Sequence, residues 1–119
     1  MKLLDTMFSV ERSETDRVQI RLHADHAIYQ AHFPGNPITP GVCLIQIAGE
    51  LLEQQLSCRL RLSQVVSLKF LVTVSPTVTP VVDFLFSSVV TDGASVQAKG
   101  TIEAGQELLA KFSLVFNRV

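Results

Sequence analysis

Charge is scarce in this sequence. Charged residues make up 18% of the 119 residues, against about 25% in an average soluble domain. Ten Lys plus Arg face eleven Asp plus Glu, for a formal charge of -1. Gripping a nucleic-acid backbone takes a basic field that displaces counterions, so nucleic acid is not an expected partner. Cysteine is equally sparse: Cys43 and Cys58 are the two present, too few for a disulfide framework, and they read as reduced thiols. Long uncharged apolar runs are missing as well. Glu50, Lys69 and Asp83 interrupt the greasiest stretches, and a membrane-crossing helix needs about 18 or more such residues. Near the start, Asp5 falls inside what would be the apolar part of a signal peptide, and no small-residue cleavage site follows. The expectation is a cytoplasmic protein with no membrane span. No linker, repeat or low-complexity segment is visible, and the length suits one domain over residues 1–119.

What the chain does have is apolar surface. Hydrophobic residues account for 47% of it, and the mean hydropathy is +0.33. A small domain has much surface for its volume, so the excess must be covered by another subunit, an apolar ligand, or both.

Periodicity gives the elements. Residues 7–11 and 17–22 read as a hairpin, with Val18, Ile20 and Leu22 alternating against Gln19 and Arg21. Residues 42–56 carry a helical pattern in which Gln46, Gly49, Glu50, Glu53 and Gln54 form a narrow polar stripe on a wide apolar body. That ratio predicts a helix mostly buried by other elements. Thr39 suits its N-cap and Pro40 its first helical position. Residues 59–73, 78–90, 95–103 and 107–118 are β-branched or aromatic runs parted by turn residues. The order predicts an α+β domain, with one long helix on a curved antiparallel sheet that ends in a meander.

Pro34, Pro37, Pro40, Gly35 and Gly41 crowd the stretch between hairpin and helix. Prolines fix its backbone, so His32 is held in a rigid approach to the helix N-terminus. The first N–H groups there lack intrahelical partners. With Thr39 satisfying one, the amide of Gly41 or Val42 is left to donate to a carbonyl oxygen or anion, and Gly41 lets a ligand come close to the backbone. An imidazole beside such a donor suits chemistry next to a carbonyl.

This stretch, HFPGNPITPGV from His32 to Val42, resembles the active-site motif of the hotdog-fold β-hydroxyacyl-acyl-carrier-protein dehydratases, roughly H-F-P-G-x-P-x-x-P-G-V. The resemblance extends upstream to Tyr29-Gln30 and more weakly downstream to Lys69-Phe70 and Ser75-Pro76. It implies a hotdog fold, with an antiparallel sheet wrapped around one long central helix and two subunits pairing to build two active sites. It also implies loss of water from a 3-hydroxyacyl thioester, giving a trans-2-enoyl thioester. His32 is then the base that takes the C2 proton, and the Gly41 N–H polarises the thioester carbonyl. Phe33, Pro40, Val42 and Glu50 are implied along the substrate. A partly positive helix N-terminus favours the neutral imidazole that a base requires.

The sequence departs from the family at one position. Fourteen residues after the His, where the family places a Glu or Asp contributed by the other subunit, stands Gln46. A carboxamide can hold a hydroxyl or a water but cannot deliver a proton at neutral pH. Three repairs are open. Glu50, one turn further along the helix, replaces the acid; or His32 serves as base and acid in turn while Gln46 positions the hydroxyl; or a different partner chain supplies the carboxylate.

The expected partners are an acyl thioester, carried on an acyl carrier protein, and at least one further copy of the chain. No cofactor or metal is expected. Two other functions share the motif: a hotdog acyl thioesterase with water held by Gln46 or Glu50, and an acyl-binding subunit of a heteromeric dehydratase. Bland readings stand beside these. Gln46, Glu50, Glu53 and Gln54 form a solvated stripe, and Cys43 is a small buried thiol. His23, Asp25 and His26 lack a further ligand at metal-site spacing. Arg59 and Arg61 either meet an acidic carrier or keep an edge strand soluble.

Overall fold

The computed structural model describes residues 2–119. Its elements run β1 (Phe8–Ser13), β2 (Arg17–Leu22), α1 (Ile28–Ala31), α2 (Gly41–Leu56), β3 (Leu60–Phe70), β4 (Val81–Asp92), β5 (Ser95–Ala104) and β6 (Glu107–Arg118). The six strands form one sheet in the order β1-β2-β4-β5-β6-β3, and every neighbouring pair is antiparallel. The predicted meander is β4-β5-β6. β3 joins from the far side of β6, so the segment between β3 and β4 must cross the sheet. Among the described residues no helix is long and apolar enough to cross a membrane.

Alternation along the strands turns one sheet face inward. Val82, Phe84 and Phe86 of β4, Val96, Ala98 and Ile102 of β5, and Phe112, Leu114 and Phe116 of β6 are buried there. α2 lies on this face through Leu44, Ile47, Ala48, Leu51 and Leu52 and joins the same apolar core. The two layers come close where the helix has no side chain: a Cβ on Gly49 would sit 3.0 Å from the Phe116 ring.

The start of α2 differs from the sequence expectation, while its last residue, Leu56, is the one expected. Pro40 is the residue before the helix, with extended backbone at φ -61° and ψ 143°, and the first helical residue is Gly41. The Pro40 carbonyl accepts from the Cys43 and Leu44 amides at 3.0 and 3.2 Å, the usual part of a capping residue's carbonyl. Thr39 does not cap. Its hydroxyl is buried against the phenol of Tyr29 at 2.9 Å, where a partnerless polar group would cost more than an uncapped, solvated helix end. At the far end Ser57 takes the left-handed conformation at φ 53° and donates to the Glu53 carbonyl. The Glu53 carboxylate accepts from the Leu60 amide at 2.8 Å, so it starts β3 and is only half-exposed. α1 was not visible in the sequence, since a single turn is too short to show a period.

β3 is the exposed long edge. Leu62, Val65, Val66 and Phe70 lie open on it, as do Leu71 and Val72 just beyond. Much of the apolar excess noted in the composition is therefore on one edge of the sheet.

Gly100 marks the tightest point of the sheet. It pairs with Phe86 beside a bulge between Phe86 and Ser88, and a Cβ on it would collide with the Leu85 carbonyl oxygen and lie 2.7 Å from Phe112 Cζ. Backbone cannot yield as a side-chain tip can, so Gly100→Ala should cost about 2–3 kcal/mol of stability. Urea unfolding checks this, and an unchanged midpoint would show that the β4–β5 ladder relaxes freely there.

Candidate active site

The proline-rich stretch is tied down at several places. The His32 amide donates to the Ile28 carbonyl at 3.1 Å, closing α1, and the Ile38 amide donates to the His32 carbonyl at 2.7 Å. Phe33 and Asn36 exchange amide and carbonyl at 3.1 and 2.9 Å, a reversal that passes through Gly35 at φ 76°. Positive φ is a conformation glycine adopts without strain. The His32–Phe33 peptide is cis. The far end of the stretch is held twice by Thr39. Its amide donates to the Val74 carbonyl at 2.7 Å, and its hydroxyl pairs with Tyr29. Hydrogen bonds tie down the His32 approach beside the proline rings from which its rigidity was expected. Tyr29 is buried, which raises its phenol pKa; the bond to Thr39 lowers it and the nearby Cys43 raises it further.

A cleft of about 300 Å³ opens at this point, lined by His32, Phe33, Pro40, Gly41, Phe70 and Val72 among others. Its walls are mostly apolar, and no carboxylate is among them. The His32 ring is partly exposed, with its centre 5.4 Å from that of Phe33. The Phe70 ring rests on Gly41, where a Cβ would come within 2.7 Å of Cε2 and Cζ. Neither the Gly41 nor the Val42 amide donates to a protein acceptor among the described residues. The cleft therefore joins an imidazole to the open first turn of a helix, under an aromatic cover that the sequence did not announce. The glycine at position 41 admits that ring as readily as it would a ligand.

The remaining candidates lie elsewhere in the same chain. Val42, Gln46 and Glu50 line a larger groove of about 790 Å³ with Ile45, Arg61 and Phe116, between α2 and the start of β3. Val42 is 73% exposed. Within one chain, then, His32 and Gln46 do not share a cavity.

Glu50 is not part of a solvated stripe, which corrects that expectation. It is 7% exposed, because the N-terminal segment folds over it: its carboxylate accepts from the Leu3 amide at 2.8 Å and the Leu4 amide at 2.9 Å. Gln46 Nε2 donates to the same carboxylate at 3.0 Å. Helical periodicity shows which face is polar, but not what lies on top of it. Three N–H groups thus converge on Glu50, which acts as an acceptor anchoring the chain start and does not face His32.

Other singled-out residues have local duties. Burial pushes the Cys43 thiol above its ordinary pKa, which makes it less nucleophilic at neutral pH. His23 bonds the Thr6 carbonyl and the Ser9 hydroxyl through its two ring nitrogens, and His26 Nδ1 accepts from the Ile28 amide.

Comparison with known proteins places this geometry in context. A family model described as ApeI-like, ApeI dehydratase, matches residues 9–104. The 3-hydroxyacyl-[acyl-carrier-protein] dehydratase FabZ of Latilactobacillus sakei subsp. sakei (strain 23K) is 37% identical over 46 residues, which are 39% of this chain and 33% of that protein. The match thus spans about a third of that curated relative's length. Among solved structures, the dehydratase heterocomplex ApeI:P from Xenorhabdus doucetiae superposes with a TM-score of 0.59 at 18% identity, covering 92% of this chain and 94% of that one. A hypothetical thioesterase with coenzyme A from Streptococcus pneumoniae TIGR4 gives 0.60 at 8% identity, with 94% and 85% covered. The shared architecture is the hotdog fold that the motif led us to expect.

The Glu50 anchor can be tested directly. Glu50→Ala leaves the buried Leu3 amide without its acceptor and should cost about 3 kcal/mol of stability, with faster hydrogen exchange at Leu3 and Leu4. Unchanged exchange at both amides would refute the anchoring role.

Proposed function

The chain belongs to the ApeI-like dehydratase family, and on that premise we propose that it dehydrates 3-hydroxyacyl thioesters. One observation carries the proposal: His32 is clamped in an apolar cleft beside the open N-terminal turn of α2. The acyl thioester lies in the cleft with its carbonyl oxygen at the Gly41 N–H. A donor aimed at that oxygen is worth about 3 kcal/mol as negative charge develops on it. His32 takes the C2 proton, the C2–C3 double bond forms, and the C3 hydroxyl leaves as water with a proton returned by the imidazolium. Atoms balance with one base that becomes the acid, so the reaction needs neither metal nor redox cofactor. Phe33, Pro40 and Phe70 enclose the acyl portion and exclude water.

A second copy completes the site. Gln46 lies outside the His32 cleft of its own chain, and the open apolar edge of β3 offers a pairing surface. In the assembled dimer, Gln46 of the partner subunit holds the C3 hydroxyl for departure, and Val42 is covered. This favours the repair in which His32 is both base and acid, since Glu50 is occupied by the chain start. A heteromer is the second reading, favoured by the lack of any carboxylate around the cleft: a different hotdog chain would place an acid where this one has Gln46. The thioester is carried on an acyl carrier protein, the carrier named for the dehydratase of Latilactobacillus sakei.

Purified protein incubated with a 3-hydroxyacyl thioester should release water and form the enoyl product, followed by mass spectrometry. His32→Ala should lower the rate by about 100-fold or more. The fold should survive, because the structural bonds of His32 are made by its backbone. Release of free thiol in place of water would identify a thioesterase, and inactivity alone with recovery on adding a second hotdog chain would identify the heteromer.

Gln46→Glu should raise the rate and change its pH dependence. The new carboxyl faces Glu50 across the present 3.0 Å contact, and two carboxylates that close share a proton, which raises one pKa of the pair. The proton-donating form exists below that raised pKa, so the gain should be largest at low pH and fade as pH rises through it. A rate no higher than wild type at any pH would contradict the assigned place of Gln46.

A further inference from the structure

Two buried hydroxyls beside the His32 cleft take no part in the proposed proton transfers. Tyr29 and Thr39 are both buried, and their oxygens are hydrogen-bonded at 2.9 Å. The pair has a bland explanation, since each satisfies the other's polar atom. An apolar pair of the same shape would fill the space as well, however, and replacing both partners of such a bond is close to neutral for stability. What the hydroxyls add is a fixed length and direction, which an apolar contact lacks.

Their places in the chain give that constraint a use. Tyr29 lies in α1, one turn before His32, and Thr39 lies just before Pro40 and Gly41, where α2 begins. The limb that brings the imidazole and the limb that brings the amide donor are thus joined at their base. The other cross-links of the loop lie nearer its tip: the Ile38 amide on the His32 carbonyl, and the exchange between Phe33 and Asn36. Those bonds hold the reversal together, but a reversal can rock as a unit on the first turn of α2. The Thr39 amide ties its own limb to the Val74 carbonyl, a bond that does not involve α1. Among the described residues, Tyr29–Thr39 is the one side-chain hydrogen bond between α1 and the residues leading into α2.

We propose that the Tyr29–Thr39 bond is a tether that sets the position of the His32 imidazole relative to the Gly41 N–H. Both residues are then positioning residues, acting through the two groups that meet the substrate. The use of the tether rests on the dehydratase reading. There, the C2 proton is most acidic while the thioester carbonyl is hydrogen-bonded, so base and donor must reach neighbouring parts of one substrate at once. A displacement near 1 Å costs about 100-fold in such an arrangement. Binding of the acyl portion is left to the cleft walls, so the tether acts on the transition state and not on affinity.

The test compares Tyr29→Phe, Thr39→Val and the double variant Tyr29→Phe/Thr39→Val, each as the full chain, in urea unfolding and in turnover of a 3-hydroxyacyl thioester. Each single variant leaves one buried hydroxyl without a partner and should lower both the unfolding midpoint and the rate. The double variant removes both hydroxyls, so its midpoint should return toward wild type while kcat stays about tenfold or more below it with KM unchanged. Thr39→Ser keeps the hydroxyl and should keep most of the wild-type kcat. A purely structural pair would make rate follow stability, so kcat restored in the double variant, or full kcat in a folded Tyr29→Phe, would overturn the proposal. NMR of the His32 ring and the Gly41 amide reads position without turnover. If the wild type turns over no thioester, the dehydratase reading fails, while resonances displaced in the folded variants still support the tether. Resonances of both groups unmoved in every folded variant would overturn it.

Discussion

The proposed chemistry depends on where His32 is held relative to the first turn of α2. That placement rests on Thr39. Its amide is fixed to the Val74 carbonyl and its hydroxyl to the Tyr29 phenol, so the segment crossing from β3, the short helix before His32 and the start of α2 meet at one buried residue. The imidazole itself makes no hydrogen bond to protein among the described residues, so in the proposed mechanism it is available to the substrate. A base within reach of a C–H bond must be fixed to about an ångström, because small misplacements already cost large factors in rate. Prolines limit the conformations of the stretch, and Thr39 selects one of them.

The rest of the fold serves that junction by holding α2 from both sides. Its apolar side is built into the sheet, with Gly49 letting Phe116 come close. Its polar side carries the chain start, drawn in by the Glu50 carboxylate, and the next turn fixes the beginning of β3 through Glu53. A helix gripped on both sides can present an open N-terminal turn without fraying. It also presents Gln46 in a groove of its own, away from the His32 cleft. The separation of these two surfaces in one chain, together with the uncovered apolar edge, is the physical argument for a site shared between chains.

Much of this was legible in the sequence where the determinants are local. The spacing of prolines and glycines from His32 to Val42 locates the proline-fixed approach, and the apolar run that follows the Ala104-Gly105 turn gives β6 at its observed bounds. The reading failed where a residue's role is set by a distant neighbour. Thr39 has the chemistry of a helix cap but is claimed by Tyr29, ten residues earlier. Glu50 falls on the polar stripe but is covered by Leu3 and Leu4, which no periodicity within α2 could reveal. Phe70 was noted as part of a strand, and only the tertiary fold puts its ring over Gly41.

The central claim is that His32 moves the C2 proton of an acyl thioester. Deuterium incorporation tests this most directly: the 3-hydroxyacyl thioester is incubated with protein in heavy water and C2 is observed by NMR. The account predicts enzyme-dependent exchange at C2 accompanied by enoyl product, both reduced to background in His32→Ala. Exchange that persists in that variant, or thioester consumption with no exchange at C2, would contradict it.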